Sequence, residues 1–150
     1  MKNGLLMTAS IFVLLSVSAC GWSTFNSAVA LDNQGANLAN HGKYEDALKD
    51  FDDAIKLNPG IASAWYNKGL ALANLGKNNE ALKAYMKAIK LKPDFAEAWN
   101  NMGAALIKLG NYKAALKAVN KAMEINPGLK EARENKIFIN ENLEAYKGSI

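Results

Sequence analysis

Three residue types in this sequence could carry chemistry, and their positions narrow what that chemistry is. Cys20 is the single cysteine and stands at the end of an apolar run, so no internal disulfide can form and the thiol reads as a site of covalent modification. His41 is the single histidine, between Asn40 and Gly42 where a turn is expected, and no second histidine or thiol exists to complete a metal site or a nucleophile–base pair. The third is a column of amides, Asn33, Asn67, Asn101 and Asn135, spaced at a constant 34 residues. A side-chain amide donates to a carbonyl and accepts from an N–H at once, so a ladder of amides can hold an extended peptide backbone without reading its sequence. The same groups serve equally well to bond a neighbouring segment of the chain itself, and the sequence leaves both roles open. Glycines recur at the same interval, which explains them without a phosphate-cradling loop. No catalytic group, metal or cofactor is expected.

The elements that position these residues begin with a leader. Lys2 gives a positive start, Leu5 to Ala19 a largely apolar stretch, and Ser16, Ser18 and Ala19 a small-residue approach to Cys20. This is the layout of an export signal over residues 1–19. Spanning a bilayer takes ~20 apolar residues, and this run is interrupted by Thr8, Ser10, Ser16 and Ser18, so an uncleaved membrane anchor is the weaker alternative. Val17, Ser18, Ala19 and Cys20 resemble the lipobox of bacterial lipoproteins, which implies acylation of Cys20 and attachment to the membrane through lipid. Cleavage after Ala28-Val29-Ala30 instead would remove part of the first repeat described below. Residues 20–27 then read as a short tether, and the expected location is the cell envelope. Gly21 rather than aspartate after the cysteine points to the outer membrane in a two-membrane bacterium, and otherwise the outer face of the cytoplasmic membrane is expected.

Beyond the leader the chain has room for one domain with a core of its own. Half its residues are apolar, and the net charge of +4 is carried by interspersed acids and bases, too mild a balance to argue for nucleic acid.

Self-comparison at an offset of 34 residues dominates the rest of the sequence. Prolines fall at Pro59, Pro93 and Pro127, and aligned columns surround them: Gly35, Gly69, Gly103; Leu38, Leu72, Leu106; Gly42, Gly76, Gly110; Ala47, Ala81, Ala115; Ala54, Ala88, Ala122. Within one unit Trp65, Gly69 and Leu72 form one helical face, and Ala81, Leu82, Tyr85, Ala88 and Ile89 a second. Gly76 suits the left-handed turn between two helices, and Pro93 stops the second one. Small residues at Gly69, Ala81 and Ala88 let paired helices approach, while Trp65 and Tyr85 fill the space beside them.

Trp65, Gly69, Leu72, Ala81, Tyr85, Ala88 and Pro93, with their counterparts Trp99, Gly103, Leu106, Ala115, Ala122 and Pro127 and the weaker set Gly35, Leu38, Ala47, Phe51, Ala54 and Pro59, resemble the tetratricopeptide repeat family. The resemblance implies an all-α fold, a right-handed superhelical α-solenoid of three helical hairpins at 28–61, 62–95 and 96–129, closed by a capping helix at 130–147. In the cap Arg133, Ile137 and Asn140 occupy the tryptophan, glycine and leucine columns. One cap face is expected to carry Leu129, Ala132, Phe138, Ile139 and Leu143.

The family implies a non-catalytic surface for a protein or peptide partner, in a concave groove lined by first helices. Groove columns fall on Asp32, Tyr66 and Asn100; Ala36, Leu70 and Ala104; Ala39, Ala73 and Ile107; and Asn40, Asn74 and Lys108. The amide column Asn33, Asn67, Asn101 and Asn135 runs beside them and resembles the asparagine ladder in the repeat domain of the O-linked N-acetylglucosamine transferase. Family members that capture acidic chaperone tails use basic residues in the columns of Asp32, Glu97 and Asn101, which are acidic or neutral here. Self-association through the cap or an exposed hairpin edge is the alternative from a structural class. Lysines on the second helices, Lys49, Lys83, Lys117, Lys87 and Lys121, read as a solvated convex face.

Overall fold

The turn inside each repeat is set by a glycine. Gly42, Gly76 and Gly110 all adopt φ of 74°, a conformation that residues with a Cβ reach only with strain. At the middle turn Gly76 N–H donates to the Ala73 carbonyl (3.0 Å) and Lys77 N–H to Leu72 (2.9 Å), the paired bonds that close a helix end. The same pair recurs from Gly42 and Lys43, and from Gly110 and Asn111. Between repeats the residue before each proline is pushed out of helical geometry; Asn58 and Asn126 are extended, so the second helix must stop there.

The computed structural model describes the backbone of residues 5–147 and the side chains of residues 21–145. Among the described residues there are seven helices and no strand: α1 Leu5–Asn40, α2 Tyr44–Leu57, α3 Ala62–Asn74, α4 Asn78–Leu91, α5 Ala96–Lys108, α6 Tyr112–Ile125 and α7 Lys130–Lys147. Helices α1/α2, α3/α4 and α5/α6 pair as hairpins, and the first helices α1, α3, α5 and α7 lie side by side. The fold is an all-α solenoid.

Close approach of helices explains the glycine column inside the first helices. A Cβ added at Gly69 would lie 2.5 Å from the Tyr85 ring, one at Gly35 2.7 Å from Phe51, and one at Gly103 2.6 Å from Val119. Phe51, Tyr85 and Val119 are in turn among the largest fully buried side chains, flanked by buried alanines such as Ala47, Ala81, Ala88 and Ala115. Each repeat thus has its own large-into-small contact, and among the described residues the buried side chains form three clusters along the stack, bridged by partly buried Leu48 and Met102.

Two regions differ from expectation. Residues 20–27, expected as a tether, are helical and run without a break into the first repeat, because no proline interrupts them and a helix already nucleated by the hairpin extends at little cost. In α7, Ala132 and Ile139 are fully buried, but Phe138 is 46% exposed, its ring 6.5 Å from Tyr112 at the margin of the contact. Phe138 therefore belongs to the edge of the cap face, one position away from the stripe that Ile139 defines.

Candidate peptide-binding groove

Helices α3 and α5 each present two adjacent polar residues, Tyr66 and Asn67, Asn100 and Asn101, to their neighbours, and these explain most of the amide column. Asn67 Nδ2 donates to Asp32 Oδ1 (2.9 Å), Asn101 Nδ2 to the Tyr66 hydroxyl (3.0 Å), and Asn135 Nδ2 to Asn100 Oδ1 (2.9 Å). The separation is 35 residues in every case, so each asparagine reaches back to the groove-column residue of the preceding repeat. Asn100 Nδ2 also approaches Asn101 Oδ1 at 3.4 Å, which joins α7, α5 and α3 in one chain of hydrogen bonds: Asn135 to Asn100 to Asn101 to Tyr66. A half-buried amide bonded across the junction in this way restrains the angle between repeats, since tilting either helix strains the bond.

The first junction uses a charge where the others use neutral groups. Asp32 is only 6% exposed, and its two carboxylate oxygens accept from Asn67 and from Ser63 Oγ (2.6 Å). No lysine or arginine among the described residues pairs with it. Ser63 was invisible to motif reading; the signal was its place in the column of Glu97, whose charge lies near Tyr66. Burial first, then Glu97, hold the Tyr66 phenol above its ordinary pKa, partly offset by the Asn101 bond. The Tyr66 ring packs against Phe95 (centroids 4.6 Å apart) and Tyr85 (6.0 Å).

Each residue singled out in the sequence can now be placed. Asn67, Asn101 and Asn135 are half-buried and engaged between repeats, and Asn100, 5% exposed, is buried in the same network. Asn33 has no preceding repeat to reach and is exposed. Asn40 and Asn74 are exposed, with Asn74 Nδ2 donating to the Leu70 carbonyl of its own helix. The side chain of Cys20 lies outside the described residues. A groove of about 180 Å³ is lined by Leu70 and Ala73 of α3, Asn78 and Tyr85 of α4, and Asn101, Ala104, Ala105 and Lys108 of α5. Leu70 and the three alanines make much of that lining apolar, and the Asn78 and Asn101 amides and the Lys108 ammonium are among its polar groups.

The tryptophan column has a second job. Trp65 Nε1 donates to the Pro59 carbonyl (3.0 Å) and Trp99 Nε1 to Pro93 (2.9 Å), tying each helix to the turn that precedes it. In the cap Arg133 Nη2 makes the same bond to Pro127 (3.1 Å). Arg133 thus replaces the indole donor while leaving out its bulk.

Among the described residues no group of three histidine, cysteine, aspartate or glutamate side chains is placed to hold a metal ion. Three family profiles match: one described as Tetratricopeptide repeat over residues 33–90, one as TPR repeat over 71–110, and one as Tetratricopeptide repeat over 96–129. The chain carries tetratricopeptide repeats. Solved structures with similar folds include the second TPR domain of human RPAP3 in complex with the HSP70 peptide SGPTIEEVD, at 25% identity over 78% of this chain and 98% of that one, TM-score 0.75. The first TPR of Spaghetti (RPAP3), bound to the HSP90 peptide SRMEEVD, shares the fold at 24% identity over 79% of this chain and 94% of that one, TM-score 0.78. YrrB, a TPR protein with an unusual peptide-binding site, matches at 27% identity over 73% of this chain and 57% of that one, TM-score 0.69. Comparison with curated protein sequences finds no match.

Proposed function

We propose that this chain is a non-catalytic interaction module, a lipid-anchored tetratricopeptide scaffold of the cell envelope that binds an extended segment of a protein partner. The observation that carries this reading is the groove lined by α3, α4 and α5, where Leu70, Ala73 and Ala104 supply apolar lining along with the polar Asn101 and Lys108. Since the amide nitrogens of Asn67 and Asn101 are engaged between repeats, affinity comes from this lining, and the amide column serves chiefly to hold the groove in shape. Similar folds bind peptides in the two RPAP3 complexes, and both of those peptides end in Glu-Glu-Val-Asp. Here an acidic end would meet Glu97, exposed one helical turn before Asn101, so a neutral or basic segment suits this surface better. Attachment through an acylated Cys20 would bring the array to the membrane where its partner resides.

The test is a photo-crosslinking residue at Ala104 of the full-length protein in living cells. Discrete adducts that disappear with Leu70→Glu support the groove; adducts that are absent, or indifferent to Leu70→Glu, refute it. Labelling with a fatty acid analogue, lost in Cys20→Ser, tests the anchor separately. A self-associating module is the second reading, favoured by the exposed Ile137 and Phe138 on the cap. A sedimentation profile that shifts with concentration, and stops doing so in Phe138→Ser, would favour it.

A further inference from the structure

Helix α1 is longer than its hairpin requires. α2 has 14 residues and is matched by the final four turns of α1, so the segment before Ala28 projects past the end of α2. Every residue from 21 to 27 is exposed, whereas Ala28 is fully buried, and a Cβ added at Gly21 would meet nothing within 4 Å. Two of these residues are large and aromatic: Trp22 is 72% exposed and Phe25 47%. Three residues apart on a helix, they share one side of it.

We infer that Trp22 and Phe25 seat this projecting helix in the headgroup region of a lipid bilayer. The occupant is identified by four features. The projection is continuous with the helix that carries the apolar run from Leu5 to Ala19. No charged residue occurs between Lys2 and Asp32. The hydroxyls of Thr24 and Ser27 turn back onto the carbonyls of Gly21 (3.0 Å) and Ser23 (2.9 Å), so neither hydroxyl proton needs a water partner there. Tryptophan is the side chain that favours the membrane–water boundary, with an apolar body and one N–H to offer. Residues 21–27 are then a stiff stalk of about 10 Å, at 1.5 Å per residue, that sets the height and tilt of the repeats above the membrane. The inference rests on the membrane attachment proposed above: where the apolar run stays in the bilayer the projection continues it directly, and where residues 1–19 are removed and Cys20 is acylated, the acyl chains take the place of that run one residue before Gly21.

The experiment uses the full-length protein in vesicles of phosphatidylcholine and phosphatidylglycerol, with bromine placed on the acyl chains near the glycerol. Flotation reports attachment, and tryptophan quenching reports the seat. Subtracting Trp22→Phe from wild type isolates Trp22 from Trp65 and Trp99, which lie in the hairpins. The expected result is a protein that floats, a bromine-quenched component of emission that Trp22→Phe loses, and a shift of that component toward iodide quenching from water in Phe25→Ser. A protein that floats while Trp22 is quenched by iodide and not by bromine overturns the seat and leaves attachment standing. Shielding from both quenchers means that protein covers Trp22, which also overturns it. Failure to float removes the attachment and this inference together.

Discussion

Helix α3, inside the array, and helix α7, at its end, begin in the same way and finish differently. Each follows a proline turn, each donates from the tryptophan column to the proline carbonyl (Trp65 to Pro59, Arg133 to Pro127), and each sends an asparagine back to the previous repeat (Asn67 to Asp32, Asn135 to Asn100). Only α3 has a second helix across from it. There Gly69 receives the Tyr85 ring, while the matching position in α7 is Ile137, 55% exposed. Docking to the repeat before and packing within a repeat are thus separate tasks, carried by different columns. The cap keeps the first and drops the second.

Substitutions in matched positions should break or sharpen this division. The largest effect is expected for Trp99→Ala, which removes a large, partly buried side chain from the core cluster around α5 and α6 together with the bond to Pro93, costing about 3 kcal/mol. Arg133→Ala, in the same column but exposed, should change stability by no more than about 0.5 kcal/mol. Equal losses in urea unfolding would mean that the column does one job throughout.

Next in size is the junction at Asp32. Asn67→Ala deprives a buried carboxylate of one of its two donors and should cost ~1.5 to 3 kcal/mol, against ~0.5 to 1.5 for Asn101→Ala, which loses a neutral bond. A matching loss of partner affinity in the folded fraction would show that the amides touch ligand as well; unchanged affinity with lowered stability assigns them to the stack alone. Gly69→Ala should follow at roughly 1 to 2 kcal/mol, because its Cβ strikes a buried ring that cannot withdraw, whereas Ile137→Ala should be close to neutral. A stabilised Gly69→Ala would show that α3 and α4 can part more easily than their contact suggests.

The smallest effect at neutral pH is expected for Tyr85→Phe, yet this change should alter the alkaline limb. Burial above all, with a smaller effect from Tyr66, raises the Tyr85 phenol pKa above its ordinary value of 10.0. An unfolded chain ionises there first, so the stability tied to the neutral phenol is complete below about pH 10 and is lost as pH climbs toward the folded value. The urea midpoint of wild type should fall steeply above that pH, and Tyr85→Phe should flatten the fall.

Much of the fold was legible because repetition writes each constraint several times. Gly76 and Pro93 mark the turns in any one unit, and their copies at Gly42, Gly110, Pro59 and Pro127 exclude coincidence. The apolar run from Leu5 to Ala19 stands out from its composition alone. Less could be read at the groove. Asn67 and Asn101 share a column, so they look like one ladder, but a column does not say whether its amides point at a ligand or at the next helix. Arg133 looked like a lapse from the tryptophan pattern until its guanidinium was found on the Pro127 carbonyl, since residue type alone hides a shared donor.

The sequence by itself determined that the chain forms helical hairpins at a fixed period, where each turns and stops, and which residues are small enough for close packing, because these follow from local backbone limits and from side-chain volume. Only the tertiary structure decided that the asparagines donate to the preceding repeat, Asn67 to Asp32, Asn101 to Tyr66 and Asn135 to Asn100, that Asp32 is buried on two donors, that Phe138 lies at the margin of the cap, and that the chain before Ala28 is a projecting helix. Those outcomes depend on the stagger between neighbouring helices, which brings together residues 31 and 35 positions apart, and no periodicity along one helix contains that stagger.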